Sequence, residues 1–203
     1  LHPRVRRQRQ MCIRDSTCDD QLMRTRSMEL AEGMRILLKL FPAAEGVFLI
    51  EDNKPEAIAA VQKACAGETN VHVHPVQVKY PQGGERAIMD VVAGKHIKLG
   101  MLPADVGCVV DNVETVVAVY KAVIQGRPVM DRVVTVTGDG IKEPKNFSVY
   151  TGTDMSELID AAGGLKAKIE KIISGGPMMG FPLYDLHIPV SYTHLTLPTN
   201  SRV

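Results

Sequence analysis

Residues 105–126 read DVGCVVDNVETVVAVYKAVIQG, an apolar run that passes through Asn112 directly into a second apolar run. The first half, DVGCVVDN, has the length and β-branched content of a buried parallel strand. The second half sets Val116, Val119, Tyr120 and Val123 at helical spacing and closes on Gly126. A strand that feeds straight into a helix is the building unit of an α/β sheet, and the same order recurs upstream. GVFLIED (46–52) predicts a buried strand. Asn53 and Pro55 then open a helix, capping residue before proline, with Ile58, Val61 and Cys65 inward and Gly67 at its end. VHVHPVQV (71–78) predicts a second strand. A loop with Pro81, Gly83 and Gly84 leads into a helix that carries Ile88, Val91 and Val92 and stops at Gly94. Ahead of all this, Leu30, Met34, Leu37 and Phe41 predict one face of a helix over 19–41, stopped by Pro42.

The pattern changes at Arg127–Pro128. RVVTVTGDGIKEPKNFSVYTG predicts two strands around a turn built on Gly138, Asp139, Gly140 and Pro144. SELIDAAGG predicts a short helix, and KIISGG another strand. The fold expected is therefore α/β, a Rossmann-like parallel sheet with flanking helices over 17–127. A small β-grasp α+β domain follows over 128–190. At about 60 residues the second unit is near the lower limit for an independent core.

Composition narrows the function classes. The chain has 203 residues, 24 Lys plus Arg, 23 Asp plus Glu and a net charge of +1. That balance argues against a dedicated nucleic-acid binder. No apolar run reaches the roughly 18 residues of a membrane-spanning helix. Cys12, Cys18, Cys65 and Cys108 form no C-x-x-C pair, so neither a zinc site nor an iron–sulfur cluster held by this chain alone is expected. Buried free thiols and a reducing, cytoplasmic setting are the plain expectation. The ends read differently from the middle. Residues 1–16 carry five Arg and one Asp, and residues 191–203 one Arg and no acid, which leaves −4 for 17–190. Neither end shows helical periodicity, strand alternation or caps. The strings MCIRDS and SYTHLTLPT resemble translated adaptor sequence, so 1–16 and 191–203 are read as non-native tails.

Two loops sit where a strand gives way to a helix, the place where open α/β sheets collect ligands. In Tyr80-Pro81-Gln82-Gly83-Gly84-Glu85-Arg86, two glycines permit close backbone approach to a ligand. A Glu in the first helical turn could accept hydrogen bonds from a ribose or an amide. An ordinary glycine turn is the plainer alternative. In Asp111-Asn112-Val113-Glu114-Thr115, Asn112 is a natural N-cap and Thr115 lies one turn on. A cap and nothing more is the alternative there. Two such loops on successive units together favour a nucleotide or flavin crevice. His72 and His74 share a strand face that is more simply half-exposed than metal-binding. GGPMMG (175–180) lacks the Lys and Ser/Thr of a P-loop and is read as a turn. No Ser–His–Asp or Cys–His set can be assembled, and no catalytic or metal-ligating residue is singled out.

KYPQGGERAIMDVVAG, LPADVGCVVDNVETVVAVYKAVIQGRPVMDRVVTVTGDGIKEPKN and IISGGPMMG together resemble the C subunit of the Rnf (also Rsx) electron-transport complex. TCDDQLMRTR and FLIEDNKPEAI agree, and the resemblance covers about 17–190. More distantly the segments resemble the flavoprotein subunit of respiratory complex I and the cobalamin reductase of propanediol utilisation. The resemblance implies an FMN- and NAD(H)-binding domain followed by a soluble-ligand-binding (SLBB) β-grasp domain. It implies that Tyr80, Gly83, Gly84 and Glu85 answer to a Tyr-x-x-Gly-Glu-Glu loop that contacts FMN and NADH. Gly84 replaces the first acid, and Glu85 keeps the one suited to the nicotinamide side. Asp111, Asn112, Val113, Glu114 and Thr115 answer to a flavin-contacting Asn-Asn-Val-Glu-Thr segment, with Asp111 in place of an Asn. The family's glycine-rich flavin loop would lie before residue 17 and its iron–sulfur cysteine runs after 190. The chain is therefore expected to be an internal fragment, inactive alone and weak in FMN binding. The intact family protein is implied to be a peripheral subunit of an ion-translocating ferredoxin:NAD oxidoreductase. It would lie on the cytoplasmic face of the bacterial inner membrane and attach there through its partner subunits. Its implied partners are those subunits, NAD(H) and, indirectly, ferredoxin. The alternatives are a non-catalytic cofactor- or partner-binding module and a cobalamin-reductase-type flavoprotein.

Overall fold

The computed structural model describes residues 17–79, 85–98, 100–166, 169, 171–175, 180–191 and 196–200. The N-terminal tail read over 1–16 and the middle of the GGPMMG turn, 176–179, lie outside the described residues. The chain divides into two compact units. One is Met23–Gln125; the described residues up to Leu22 join those from Gly126 onward in the other.

The expected first helix is two helices. α1 (Cys18–Thr25) and α2 (Ser27–Leu40) are separated at Arg26, whose φ of −126° and ψ of 31° leave the helical region. Leu30, Ala31 and Gly33 are the buried residues of α2. Leu30 is on the expected face, whereas Phe41 is 54% exposed. α2 crosses α5 (Val113–Gln125) at Gly33. A Cβ on Gly33 would stand 2.2 Å from the Val116 backbone oxygen and 2.9 Å from Val116 Cγ1. Only a residue without a Cβ lets the two helices meet there. Val116 and Val117 are the buried residues of α5, while Val123 is 61% exposed.

β1 (Gly46–Glu51) runs parallel to β2 (Val71–Val76), in register from Gly46↔Val71 to Glu51↔Val76. The amides of Gly46 and Asp52 continue the ladder at either end, donating to Asn70 O (2.8 Å) and Val76 O (2.9 Å). Phe48 and Ile50 are buried on β1, with Val47 and Leu49 partly exposed, so this strand alternates rather than being covered on both faces. β2 ends two residues earlier than expected. α3 (Pro55–Ala64) connects the strands, with Pro55 at its first position as predicted. Lys54 rather than Asn53 is the capping position, and no side chain caps it. Ala57, Val61 and Ala64 are buried on α3, and Cys65 just beyond it. Burial pushes the Cys65 thiol up, beyond the opposing effect of Arg35. Arg35 bonds Glu32 on its own helix and Glu68 (Nε–Oε1 2.7 Å) past the end of α3.

The expected third strand is absent from the sheet. Pro103–Val106 is a 3₁₀ turn, and 107–112 runs on without a ladder partner among the described residues. Val109 is 71% exposed and Val110 partly buried. The alternation is that of a strand, but the amides of Gly107 and Cys108 turn back to Ala104 O and Pro103 O, and 107–112 joins no ladder among the described residues. α4 (Glu85–Ala93) also turns a different side inward. Met89 is buried, while Val91 and Val92 are exposed.

The second unit follows the hairpin–helix–strand order. β3 (Asp131–Gly138) pairs antiparallel with β4 (Lys145–Tyr150). α6 (Met155–Ala161) is capped by Asp154, whose carboxylate accepts from the Ser156 amide (2.9 Å) and hydroxyl (2.7 Å). Met155, Leu158 and Ile159 pack with Val134, Val136, Ile141, Ile172 and Val190. Burying side chains of this size contributes about 1.5–3 kcal/mol each. The start of α1 is held here too. Asn146 bonds Thr17, Gln21 and Thr135, at 2.6–3.1 Å. β5 (Lys171–Ser174) pairs with β6 (Phe181–Leu183). The C-terminal tail, expected to lack a strand, supplies β7 (Thr196–Asn200), which makes the sheet order β4-β3-β7-β5-β6. Two Thr give this stretch enough β propensity to follow an open edge.

Substituting Gly33 by Leu should lower the thermal midpoint sharply, by the roughly 1–3 kcal/mol or more of an overpacked contact. An unchanged melting curve would show that the helices cross elsewhere. His187 Nδ1 lies 3.1 Å from Asp154 Oδ2, and that bond, with the charges of Asp154 and Asp185, raises its pKa. A raised histidine stabilises the fold in full below its unfolded value of about 6.5, and the gain is lost as pH rises through the folded value. His187→Ala should therefore lower the melting temperature below pH 6 and leave it unchanged above pH 8. A pH-independent difference would remove the ion pair from the account.

Candidate functional site

The carboxyl ends of β1 and β2 and the N-termini of the helices that follow are where this sheet could hold a ligand. At the end of β1, Glu51 is half-buried. Burial raises its carboxyl pKa against the opposing charge of Lys54, with Asp52 adding to the rise. Sequence reasoning passed over Glu51, because an acid at a strand end carries no spacing signal. Its desolvation is visible only in the fold.

Tyr80, Gly83 and Gly84 lie outside the described residues. Glu85 is the first residue of α4. α4 is tied to the connection that follows it: Lys95 Nζ donates to Val106 O (2.5 Å), and His96 Nδ1 stands 2.5 Å from Asp90 Oδ1. The 3₁₀ turn is closed by Asp105, which accepts from the Leu102 amide at 2.8 Å. Lys95 is a contributor the sequence did not single out. It fixes the segment that delivers Asp111 and Asn112.

Asp111, Asn112 and Thr115 are brought together at the N-terminus of α5. Asn112 Oδ1 accepts from the Glu114 amide at 2.8 Å, and the Asn112 carbonyl accepts from the Val116 amide at 3.2 Å. This is the N-cap read from the sequence. Asp111 is exposed, whereas Asn112 and Thr115 are half-buried. The amides, the carboxamide and the hydroxyl make a donor-rich helix start whose dipole favours an anion. That chemistry fits the phosphate end or the polar ring edge of a flavin nucleotide. His72 and His74 stand on an exposed strand face, ring centroids 6.4 Å apart. Among the described residues, no three His, Cys, Asp or Glu are placed to hold a metal.

Comparison with known proteins gives this arrangement a family. The model of the Nuo51 FMN-binding domain matches residues 15–121, and that of the SLBB domain matches residues 133–182. The chain belongs to the Nuo51 FMN-binding domain family. The family match spans β1, β2 and the helix start at Asn112. The SLBB match spans the hairpin, α6, β5 and part of β6. The C subunit of a proton-translocating ferredoxin:NAD(+) oxidoreductase complex of Clostridium ljungdahlii is 45% identical over 174 residues, 86% of this chain and 38% of that protein. The C subunit of an ion-translocating oxidoreductase complex of Erwinia tasmaniensis is 40% identical over 174 residues, 86% of this chain and 22% of its own length. The chain thus spans well under half the length of these relatives. A solved NAD+-reducing [NiFe]-hydrogenase shares the fold at TM-score 0.73 and 20% identity, over 91% of this chain and 38% of that one. The α/β architecture with a smaller α+β unit is therefore the one expected from sequence.

Asn112→Ala removes the cap of α5 and should cost about 0.5–2 kcal/mol in stability. Asn112→Asp keeps an acceptor and should cost far less. Equal losses in denaturant melts would deny the side chain its capping role.

Proposed function

We propose that the chain is the FMN- and NAD(H)-handling part of the C subunit of an Rnf-type ferredoxin:NAD oxidoreductase. The FMN-binding family match over 15–121, together with 40–45% identity over 174 residues to C subunits of ion-translocating oxidoreductase complexes, one of them named a ferredoxin:NAD(+) oxidoreductase, carries this reading. A flavin, when bound, supplies the chemistry that takes a hydride and releases electrons one at a time. The protein's part is to bind, orient and tune.

Asn112 and Thr115 hold the flavin nucleotide at the start of α5, where backbone amides and the helix dipole favour its polar edge. Tyr80, Gly83 and Gly84 are assigned to the same ligand by their resemblance to the family's flavin-contacting loop. Glycine at 84, where the related loop carries an acid, makes that side less negative. Glu85 keeps the acid that orients the nicotinamide. Iron–sulfur centres that carry electrons onward are held outside these residues. Among the described residues, no helix is long and apolar enough to cross a membrane. Like the family it resembles, the subunit is read as peripheral, on the cytoplasmic face of the inner membrane, and joined to it by its partners.

The test uses these residues within a subunit of the relatives' full length. Asn112→Ala should lower flavin occupancy, read from flavin absorbance. Glu85→Gln should retain flavin but slow its reduction by NADH. Unchanged absorbance in the first would move the flavin elsewhere, and unchanged reduction in the second would free Glu85 of its role.

A further inference from the structure

Four histidines lie among the described residues, at 72, 74, 96 and 187. Two of them are already engaged by carboxylates. His96 Nδ1 stands 2.5 Å from Asp90 Oδ1, and His187 Nδ1 stands 3.1 Å from Asp154 Oδ2. His72 and His74 are different: among the described residues neither ring has a hydrogen-bond partner. The Glu45 carboxylate comes to 4.0 Å from His72 Nε2, too far for a hydrogen bond. The pair occupies alternate positions of β2, so both side chains leave the strand on one face, and both residues are exposed. Their ring centroids are 6.4 Å apart and the ring planes are inclined at 53°. The backbone beneath them is fixed, because β2 pairs along its whole length with β1, Val47 opposite His72 and Leu49 opposite His74. The rings themselves turn at little cost, since the outer torsion of a histidine has no narrow minimum. With Gln62, Cys65, Val71 and Val73 they line an open cavity of about 280 Å³. That is room for an ion and several waters, at about 30 Å³ each. Burial favours the protonated form of the Cys65 thiol in that wall, which makes it a poor ligand. The flavin reading uses none of these residues.

We propose that His72 and His74 chelate a divalent ion of the zinc, nickel and copper group, with water completing its coordination. Imidazole nitrogens select such ions over magnesium and calcium, which take oxygen ligands. Each nitrogen has to come within about 2.0–2.1 Å of zinc, so the two rings turn towards each other from their present separation. No third His, Cys, Asp or Glu converges on them among the described residues, so the site is open, unlike the closed four-ligand shell of a structural zinc. Glu45 serves behind it, accepting a hydrogen bond from the His72 nitrogen that does not bind the ion. The ion ties together two side chains of a strand that is paired on one edge only among the described residues, and so holds β2 extended.

The test is a calorimetric titration of the 203-residue chain with zinc chloride, above the ordinary histidine pKa of about 6.5 and in a buffer that does not bind metals. Zinc should bind saturably, one ion per chain, and raise the melting temperature, and EDTA should reverse the rise. His72→Gln and His74→Gln change exposed positions. Each should abolish the saturable binding while leaving the zinc-free melting curve as it was. Glu45→Gln should weaken binding by about tenfold. His96→Gln should leave it unchanged, and magnesium chloride should give no comparable heat. Absence of saturable binding, binding that survives both His72→Gln and His74→Gln, or equal binding of magnesium would overturn the proposal. So would loss of binding in His96→Gln, because the ion would then sit at the end of α4.

Discussion

The crossing of α2 and α5 at Gly33 is the contact on which the first unit turns. Its helices come within a distance that no side chain at residue 33 would permit, because the Val116 carbonyl occupies the space of a Cβ. Close approach brings Leu30 and Ala31 under cover with Val116 and Val117. It also sets the position of the first turn of α5, four residues before Val116, where Asn112 forms the cap. A small error in that crossing would displace the very amides that make the helix start suited to an anion. The two-stranded sheet alone could not hold it, since two strands bury too little to be stable without a packed helix.

The second unit is held differently. Its helix α6 is short, and its N-terminus is fixed by the Asp154 cap and by His187. Backbone bonds then hold the far end of the 184–190 segment: Gly152 donates to Val190 O, and Val190 donates to Thr153 O. Asn146 adds a polar clamp on Thr17 and Gln21, so the chain's first described helix begins in this unit and ends in the other. The sheet is completed between β3 and β5 by β7, which is short and carries a proline.

The function rests on chemistry distributed across two kinds of evidence. The helix start at Asn112 has a geometry suited to a nucleotide, but so do many capped helices. The family match gives that geometry its meaning. Conversely, the match gives no reason why Lys95 should bond the Val106 carbonyl or why Glu51 should be desolvated. Those belong to this fold, and the Lys95 bond ties down the connection that leads from α4 to Asp111 and Asn112.

The sequence by itself determined the strand–helix–strand–helix order over 46–93, the hairpin around Gly138–Pro144, the cap at Asn112 and the proline start of α3. These are local features, written in periods of two and 3.6 and in residues with restricted backbones. It also carried the motifs that point to the flavin family. The tertiary structure decided the rest. Arg26 breaks the first helix. Met89 rather than Val91 faces inward on α4. Residues 107–112 have strand alternation but no strand, because a strand exists only when a neighbour accepts its hydrogen bonds. For the same reason a tail with no clear pattern becomes β7: an open edge on each side supplied the partners that its own sequence did not announce.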